Sequence, residues 1–189
     1  MYRAITTLLT AFLLVVSSAG YAQEASKRVR VETSMGSFVV ELAAARAPLT
    51  VDNFLRYVRD GHYNGTIFHR VINNFVAQGG GYDEQFVEKP TQPKVPNESG
   101  NGLSNRRGTV GMARTGEAHS ADAQFYINLA DNSALDPQPS RWGYTVFGRV
   151  VEGMDVIDGI GAVATGHGGT FDSDVPIKPV IIQRIVELD

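Results

Sequence analysis

The chain has 189 residues, of which 43% are hydrophobic and 20% charged, and its formal net charge is −3. This composition is typical of a globular protein with one core, and its mild acidity argues against nucleic acid as a partner. The sequence contains no cysteine, which excludes disulfides, thiol nucleophiles and zinc–thiolate sites.

The first 22 residues have the layout of a secretory signal peptide, with a basic start at Arg3, an apolar run, and small residues at Gly20 and Ala22. An uncleaved membrane anchor is the alternative, but the apolar run is short against the roughly 20 residues that span a bilayer. We therefore expect cleavage after Ala22, which leaves residues 23–189 as a single domain. Export without cysteine fits the periplasm of a bacterial cell, with no stable membrane contact once the signal is removed.

Regularly spaced apolar residues predict two strands and one helix in the first part of the domain. From Arg28 the sequence RVRVETSMGSFVVELAA alternates apolar and polar residues on both sides of a Met-Gly turn, as two paired strands do. A helix is predicted over 49–61, with Thr50 as its N-cap and Gly61 as its terminating residue. Its apolar residues share one face: Val51, Phe54, Leu55 and Val58.

The rest of the chain is predicted to form short strands separated by turns and loops. An Asn-Gly turn leads into the apolar segment 66–81, and a polar loop rich in Pro, Gly and Asn covers 82–107. Further strands are predicted at 109–113, 124–130, 144–153 and 180–188, a helix at 154–160, and a loop at 161–174. About eight short strands with two helices favour a mainly antiparallel sheet or barrel over a parallel βαβ sheet.

One apolar segment, FHRVINNFVAQGGG at 68–81, carries polar residues where a buried strand would not. Arg70 and Gln78 interrupt its apolar residues, and three glycines close it. Polar side chains among core-forming ones indicate either a structural hydrogen bond or a functional surface.

Four segments together resemble one protein family: YNGTIFHRVINNFVAQGGG, RGTVGMAR, AQFYINLADNSALD and YTVFGRVVEGMDVID. In this order and spacing, they are similar to cyclophilins, and most similar to periplasmic cyclophilins of Gram-negative bacteria. The resemblance covers the chain from Val29 to its C-terminus. It implies a closed eight-stranded antiparallel β-barrel capped by two α-helices, with a substrate groove on the outside of the barrel wall.

The same resemblance implies a peptidyl-prolyl cis–trans isomerase that needs no cofactor and no metal. Its expected partners are proline-containing stretches of exported polypeptides, whose folding the enzyme would assist. Nucleic acid is not expected as a partner, and a monomer is the expected state.

The resemblance also assigns roles to individual residues. Arg70 matches the family's catalytic arginine, and Gln78 matches the glutamine that binds substrate backbone and orients the arginine. Surface exposure for Arg70 and a local structural hydrogen bond for Gln78 are the ordinary alternatives. The matched substrate-binding residues are His69, Phe75, Val76, Ala113, Arg114, Gln124, Tyr126, Leu135 and Tyr144. Core packing is the alternative for the apolar members of this set, and a structural role is the alternative for His69.

Some positions depart from the family's usual pattern. Ala134 stands where many cyclophilins have tryptophan, and the only tryptophan is Trp142 in a longer loop, which implies weak binding of cyclosporin. Tyr126 and Tyr144 replace a phenylalanine and a histidine, and each adds a hydroxyl that needs a partner. Val76 replaces a methionine and leaves more room. The arginine, the glutamine and the apolar wall are all retained.

Two other functions stay open at this point. One is a chaperone module that holds proline-bearing segments without turnover, and the other is a barrel that carries a small ligand inside. Retention of both Arg70 and Gln78 favours the enzyme over the binding module. A filled barrel interior would argue against the ligand carrier.

Overall fold

The computed structural model describes residues 27–189, so the predicted signal peptide and its cleavage site lie outside the described residues. This range contains the helices α1 (Pro48–Arg59) and α2 (Met154–Gly161), and a 3₁₀ helix at Ser133–Leu135. None of these helices is long and apolar enough to cross a membrane. The strands are β1 (Arg28–Thr33), β2 (Gly36–Leu42), β3 (Thr66–Ile67), β4 (Arg70–Ile72), β5 (Val76–Gly79), β6 (Thr109–Met112), β7 (Phe125–Asn128), β8 (Val146–Glu152), β9 (Thr165–Gly168), β10 (Phe171–Pro176) and β11 (Ile181–Leu188).

Nine of these strands form one sheet that curls around the core, in the order β3-β11-β1-β2-β8-β6-β7-β5-β4. All of its pairings are antiparallel. The prediction of a mainly antiparallel β-fold with two helices is confirmed, although the sheet has nine strands rather than eight. Its two end strands, β3 and β4, are consecutive in the chain, so the short connection through Phe68 and His69 joins the ends of the sheet.

The apolar face of α1 packs into the interior of the curled sheet, as its spacing predicts. The Phe54 ring centroid lies 5.2 Å from those of Tyr63 and Phe147, and 5.8 Å from that of Phe125. All four rings are buried, and aromatic contacts at these distances add to the free energy of apolar burial. The filled interior argues against the ligand-carrier alternative.

Helix α1 begins at Pro48, and the prediction of Thr50 as its N-cap is wrong. Ala47 occupies the N-cap position and makes no side-chain cap. Instead, the Glu98 carboxylate accepts the backbone N–H of Thr50 at 2.8 Å and its hydroxyl at 2.7 Å. It also accepts the N–H of Leu49 at 3.2 Å, and its negative charge is favourable at the positive end of a helix dipole. This cap comes from a distant part of the chain, so local spacing does not reveal it.

The prediction of a loop at 161–174 is wrong, because the hairpin β9–β10 begins there. Its strands lack regularly alternating apolar residues, so their pattern gives no strand signal. Gly169 makes the turn with φ 54°. Phe171 anchors the hairpin, with its ring centroid 5.3 Å from that of His69 and 5.2 Å from that of Tyr82. Contacts with distant residues therefore stabilise this hairpin, and its local sequence pattern does not predict it.

The segment 82–107 contains no helix or named strand, as predicted, but side-chain hydrogen bonds hold it against the domain. Asn97 donates to the Gly143 carbonyl at 3.0 Å, and Asn101 donates to the Val146 carbonyl at 2.9 Å. These side-chain donors satisfy two backbone carbonyls of the neighbouring segment. They attach the loop to the domain although it forms no strand of the sheet.

Candidate active site

The β4–β5 hairpin explains the mixture of apolar and polar residues in FHRVINNFVAQGGG. Arg70 pairs with Gln78, and Val71 pairs with Ala77. Because successive side chains of a strand point to opposite faces, Arg70 and Gln78 share the outer face. Val71 and Ala77 are buried in the core. Between the strands, Asn74 has φ 57°, a left-handed conformation that asparagine tolerates better than most residues.

Three polar side chains form a hydrogen-bonded series on the outer face. Nη1 of Arg70 donates to Oε1 of Gln78 at 3.4 Å, and Nε2 of Gln78 donates to Oε1 of Gln124 at 3.0 Å. The Arg70 guanidinium carbon also lies 6.0 Å from the Phe75 ring centroid. Within the described residues, the salt bridges do not include Arg70. Its charge is therefore held in place without being neutralised by a carboxylate.

Arg70 and Gln78 face a cleft of about 260 Å³ whose other walls are largely apolar. Its lining consists of Arg70, Phe75, Val76, Gln78, Ala113, Arg114, Tyr126, Leu135 and Tyr144. The structure thus brings together every predicted site residue except His69 and Gln124, and Gln124 contacts the cleft through Gln78. Two lining residues are cationic and none is anionic, so the lining carries a net positive formal charge.

Tyr126 fits into the wall of the cleft because the neighbouring strand carries a glycine. Gly111 pairs with Tyr126, and a Cβ at that glycine would lie only 2.3 Å from the tyrosine ring. The Tyr126 hydroxyl donates to Oδ1 of Asn105 at 2.6 Å, and burial raises the pKa of this phenol far above its usual value. The hydroxyl that distinguishes tyrosine from phenylalanine therefore has its partner.

Asn105 connects several walls of the cleft, and sequence reasoning missed it. Its side-chain amide donates to the Asp136 carboxylate at 2.9 Å, next to Leu135. Its backbone carbonyl accepts the N–H of Asn132 at 2.7 Å, and the Asn132 side chain donates to the Phe75 carbonyl at 2.8 Å. Asparagines in loops usually indicate local turns, and nothing in their spacing shows which distant walls they join.

Arg114 is held in place by the loops around it. Its Nε, Nη2 and Nη1 donate to the carbonyls of Gly143, Trp142 and Thr115 at 3.2, 2.9 and 2.8 Å. Its guanidinium carbon lies 4.3 Å from the Tyr144 ring centroid, a cation–π contact. Arg114 thus fixes Tyr144 and brings a positive charge to the cleft, while most of its donors are already engaged.

The structure does not place His69 in the cleft, in contrast to the prediction. Its side chain is 2% exposed, and its ring centroid lies 4.8 Å from that of Tyr82 and 5.3 Å from that of Phe171. Extended backbone turns it to the opposite side from its neighbour Arg70. Burial first, and the charge of Arg70 second, lower the pKa of His69 to about 4. The ring packs under the β9–β10 hairpin and has a structural role.

Ala134 and Trp142 both lie outside the lining of the cleft. Trp142 is 49% exposed, and its ring centroid lies 5.2 Å from that of His119. The Ala134 carbonyl accepts a hydrogen bond from Arg141 at 2.7 Å. Trp142 therefore does not take the place of a tryptophan at position 134, and weak cyclosporin binding stays a prediction.

Known proteins share both this fold and this sequence pattern. The family model described as cyclophilin type peptidyl-prolyl cis-trans isomerase matches residues 28–187. The chain belongs to the cyclophilin family. Peptidyl-prolyl cis-trans isomerase A of Dickeya dadantii is 46% identical over 181 residues, which cover 96% of this chain and 95% of that protein. Peptidyl-prolyl cis-trans isomerase B of Escherichia coli is 49% identical over 160 residues, covering 83% and 97%.

Solved cyclophilin structures agree with the sequence comparison. A crystal structure of a cyclophilin type peptidyl-prolyl cis-trans isomerase from Cryptosporidium parvum matches with a TM-score of 0.72 at 25% identity, over 87% of this chain and 98% of that one. The predicted enzyme class is confirmed: this cyclophilin is a peptidyl-prolyl cis–trans isomerase.

Proposed function

We propose that the cleft containing Arg70 and Gln78 rotates X-Pro bonds in exported polypeptides and so assists their folding. One observation carries the proposal. An arginine that forms no salt bridge with any described residue is held by a glutamine beside a cleft of about 260 Å³ that has an apolar wall. This combination matches what rotation of a prolyl amide requires.

The reaction makes and breaks no covalent bond. Resonance gives the amide a rotation barrier of about 18–20 kcal/mol, and uncatalysed X-Pro exchange takes roughly tens to hundreds of seconds. At the top of the barrier the amide is twisted, and the nitrogen lone pair is no longer delocalised into the carbonyl. A hydrogen-bond donor beside the proline nitrogen therefore stabilises the twisted state more than either planar isomer, which is the condition for catalysis.

Arg70 supplies that donor. A guanidinium is always charged and presents several N–H groups in one plane. Gln78 and the Phe75 ring restrict its position before substrate binds, and a preorganised donor loses little free energy to reorganisation during the reaction. Gln124 restrains Gln78 in turn, so it acts as a positioning residue.

The apolar wall would hold the proline ring while the peptide on its other side turns. Phe75, Val76, Tyr126 and Leu135 provide this wall, and their exclusion of water strengthens the interaction with the Arg70 charge. Ala113, Arg114 and Tyr144 lie along the same cleft and are placed to contact substrate backbone beside the proline.

The proposed setting is the periplasm, where the mature domain would begin after cleavage at Ala22 and act as a monomer. The signal-like composition of residues 1–22 and the absence of cysteine support this setting. The substrates would then be newly exported, unfolded chains in which X-Pro isomerisation limits folding.

The proposal is tested by the rate of cis–trans exchange of a short X-Pro peptide, measured with the domain from residue 23 onward. We expect Arg70→Ala to lower kcat/KM by about 10²–10³-fold, the loss that follows removal of one preorganised donor. Arg30→Ala is the control, because it removes an exposed arginine that lies on β1, away from the cleft.

Two outcomes would contradict the catalytic role of this cleft. If Arg70→Ala and the wild type accelerate exchange equally, the chemistry lies elsewhere. If neither accelerates exchange while both bind the peptide, the domain is a binding module for proline-bearing segments. Periplasmic location is tested separately, by fractionating the source cells and determining the N-terminal residue of the mature protein.

A further inference from the structure

A second and larger cleft lies on the outer wall of the sheet. Its volume is about 700 Å³, within the range of 300–1,000 Å³ that is typical of ligand sites. Leu42 and Val146, from β2 and β8, contribute apolar lining, and Leu103 from the long loop adds to it. The proposed isomerase function does not use this cleft.

Small residues create the space. The connection from β2 to α1 carries three consecutive alanines, 43–45, and all three line the cleft together with Gly102 and Gly148. A Cβ at Gly148 would lie 2.9 Å from the Glu41 carbonyl oxygen. No larger side chain could therefore occupy position 148 without displacing the floor of the cleft.

Cationic side chains surround this apolar floor. Lys27, Arg46, Arg106 and Arg149 line the cleft, against a single acidic residue, Glu41. Arg149 is paired with Glu41 at 2.7 Å. The side chains of Lys27, Arg46 and Arg106 are exposed and take part in no salt bridge with any residue in the described range. The formal net charge of the whole chain is −3, so this local positive excess opposes the overall charge.

The two clefts share one wall of the sheet and are separated by the loop around Asn105. Strand β6 pairs with β8 on the side of the second cleft and with β7 on the side of Tyr126. Asn105 points to the Tyr126 hydroxyl, whereas its neighbours Ser104 and Arg106 line the second cleft. The second cleft is therefore a separate concavity with its own charge.

We propose that the second cleft binds an acidic segment of polypeptide that also carries apolar side chains. The three cations that form no salt bridge within residues 27–189 come from separate parts of the chain, before β1, before α1 and in the long loop. They can contact several carboxylates spaced along an extended segment, and guanidinium groups match carboxylate geometry well. Leu103 and the alanines 43–45, which line the cleft and are at least partly exposed, would cover an apolar side chain between those carboxylates, which removes apolar surface from water.

The test is calorimetric titration of the domain with a short proline-free peptide of alternating glutamate and leucine. We expect binding that weakens as salt is added, because the contacting charges are exposed. The double variant R46A/R106A should bind about tenfold more weakly, since charge pairs across an interface contribute on this scale. The double variant R30A/K178A is the control: it removes the same number of exposed positive charges elsewhere and should bind like the wild type.

A steric variant keeps the proposal falsifiable without altering charge. Ala45→Trp places a large ring in the cleft while leaving the cations intact, and it should also weaken binding about tenfold if the peptide sits on the apolar floor. A peptide in which glutamine replaces glutamate should bind more weakly than the acidic one. Equal affinity of the two peptides, or of the wild type and R46A/R106A, would overturn the proposal.

Two further measurements separate this proposal from the isomerase proposal. R46A/R106A should retain wild-type kcat/KM on a short X-Pro peptide, and Arg70→Ala should retain wild-type affinity for the acidic peptide. Loss of acidic-peptide binding in Arg70→Ala would assign that peptide to the catalytic cleft and overturn the second site. Displacement of the peptide by octanoate at equal affinity would instead identify a site for small amphiphilic anions, and would also overturn the proposal.

Discussion

The two clefts on the outer wall differ in how their cationic groups are held. In the catalytic cleft, Arg70 contacts Gln78 and the Phe75 ring. In the second cleft, no hydrogen bond within the described residues restrains the side chains of Arg46 and Arg106. Both clefts have more cationic than anionic lining residues, but the second holds only Arg149 in place, through the Glu41 carboxylate that neutralises it. Within residues 27–189, the first cleft holds Arg70 without such a carboxylate.

This difference shows what a catalytic charge requires beyond its sign. A restrained donor already points to where the twisted amide nitrogen will form, so its benefit is concentrated in the transition state. An unrestrained cation attracts an acidic group in any of several geometries, and exposed pairs of this kind contribute about 0–1 kcal/mol each. The first arrangement suits catalysis, and the second suits weak and adaptable binding.

Exchanging arginine for lysine in each cleft tests the comparison with the largest expected effect. Arg70→Lys keeps the charge but loses the planar donors that contact Gln78, and we expect kcat/KM to fall about 10²-fold. Arg106→Lys keeps the positive charge that attracts the peptide, and no hydrogen bond within the described residues fixes the direction of this side chain, so affinity for the acidic peptide should change by less than about twofold. If lysine is tolerated equally in both clefts, restraint is not what distinguishes them.

The buried histidine behind the catalytic hairpin gives a second test, read out by pH. The folded-state pKa of His69 is lowered to about 4 from an ordinary value of 6.5, so the unfolded chain takes up the proton first. Keeping His69 neutral therefore contributes to the free energy of unfolding, by roughly 3 kcal/mol. This contribution is fully present above pH 6.5 and is lost as the pH falls from 6.5 to 4. Urea unfolding at several pH values measures this contribution.

A variant pair isolates the histidine from other acid-sensitive groups. His69→Gln should remove most of the stability loss between pH 6.5 and 4, whereas His167→Gln, at an exposed position, should leave it unchanged. If His69→Gln loses as much stability between pH 6.5 and 4 as the wild type does, burial of the neutral His69 ring is not the cause of that loss.

The elements with strong local pattern could be predicted from sequence. Helix α1 was predictable because Val51, Phe54, Leu55 and Val58 follow its 3.6-residue period, and each of them is buried. The β4–β5 hairpin was recognisable only through its resemblance to a family, because alternation alone explains the core-facing residues and not why a particular arginine faces a cleft.

What could not be predicted depends on contacts between distant parts of the chain. The Glu98 cap of α1 and the hairpin anchored by Phe171 both depend on partners far away in sequence. Asn105 belongs to the same class, because its bonds to Tyr126 and Asp136 join separate loops. Local spacing contains no information about which loops meet.

The hydrogen bonds around Asn105 provide a test with an intermediate expected effect. They support walls of the catalytic cleft and not of the second cleft. Asn105→Ala leaves the buried Tyr126 hydroxyl without an acceptor, and we expect the free energy of unfolding to fall by about 1–3 kcal/mol. Tyr126→Phe removes the donor instead, and Asn105 keeps the hydrogen bond from Asn128 at 3.2 Å, so the loss should be about 1 kcal/mol or less. Urea unfolding of both variants measures the difference.

The same two variants sharpen the contrast between the clefts. At a temperature where both are folded, Asn105→Ala should lower kcat/KM on the X-Pro peptide more than Tyr126→Phe does, because it also removes the side-chain hydrogen bonds to Asp136 and from Asn128. Tyr126→Phe should bind the acidic peptide with wild-type affinity. If this affinity falls together with kcat/KM, the two clefts are coupled.

The smallest expected effect concerns Gln124, which acts on catalysis only through another side chain. Gln124→Met removes the acceptor for Gln78 at similar volume, and we expect kcat/KM to fall by about tenfold or less. Gln85→Met, at an exposed position, is the control. Because the effect is transmitted through Gln78, it should disappear when Gln124→Met is combined with Gln78→Met, as a double-mutant cycle detects. If the effects of Gln124→Met and Gln78→Met add, Gln124 contacts substrate directly. Gln78 would then hold Arg70 in place without help from Gln124.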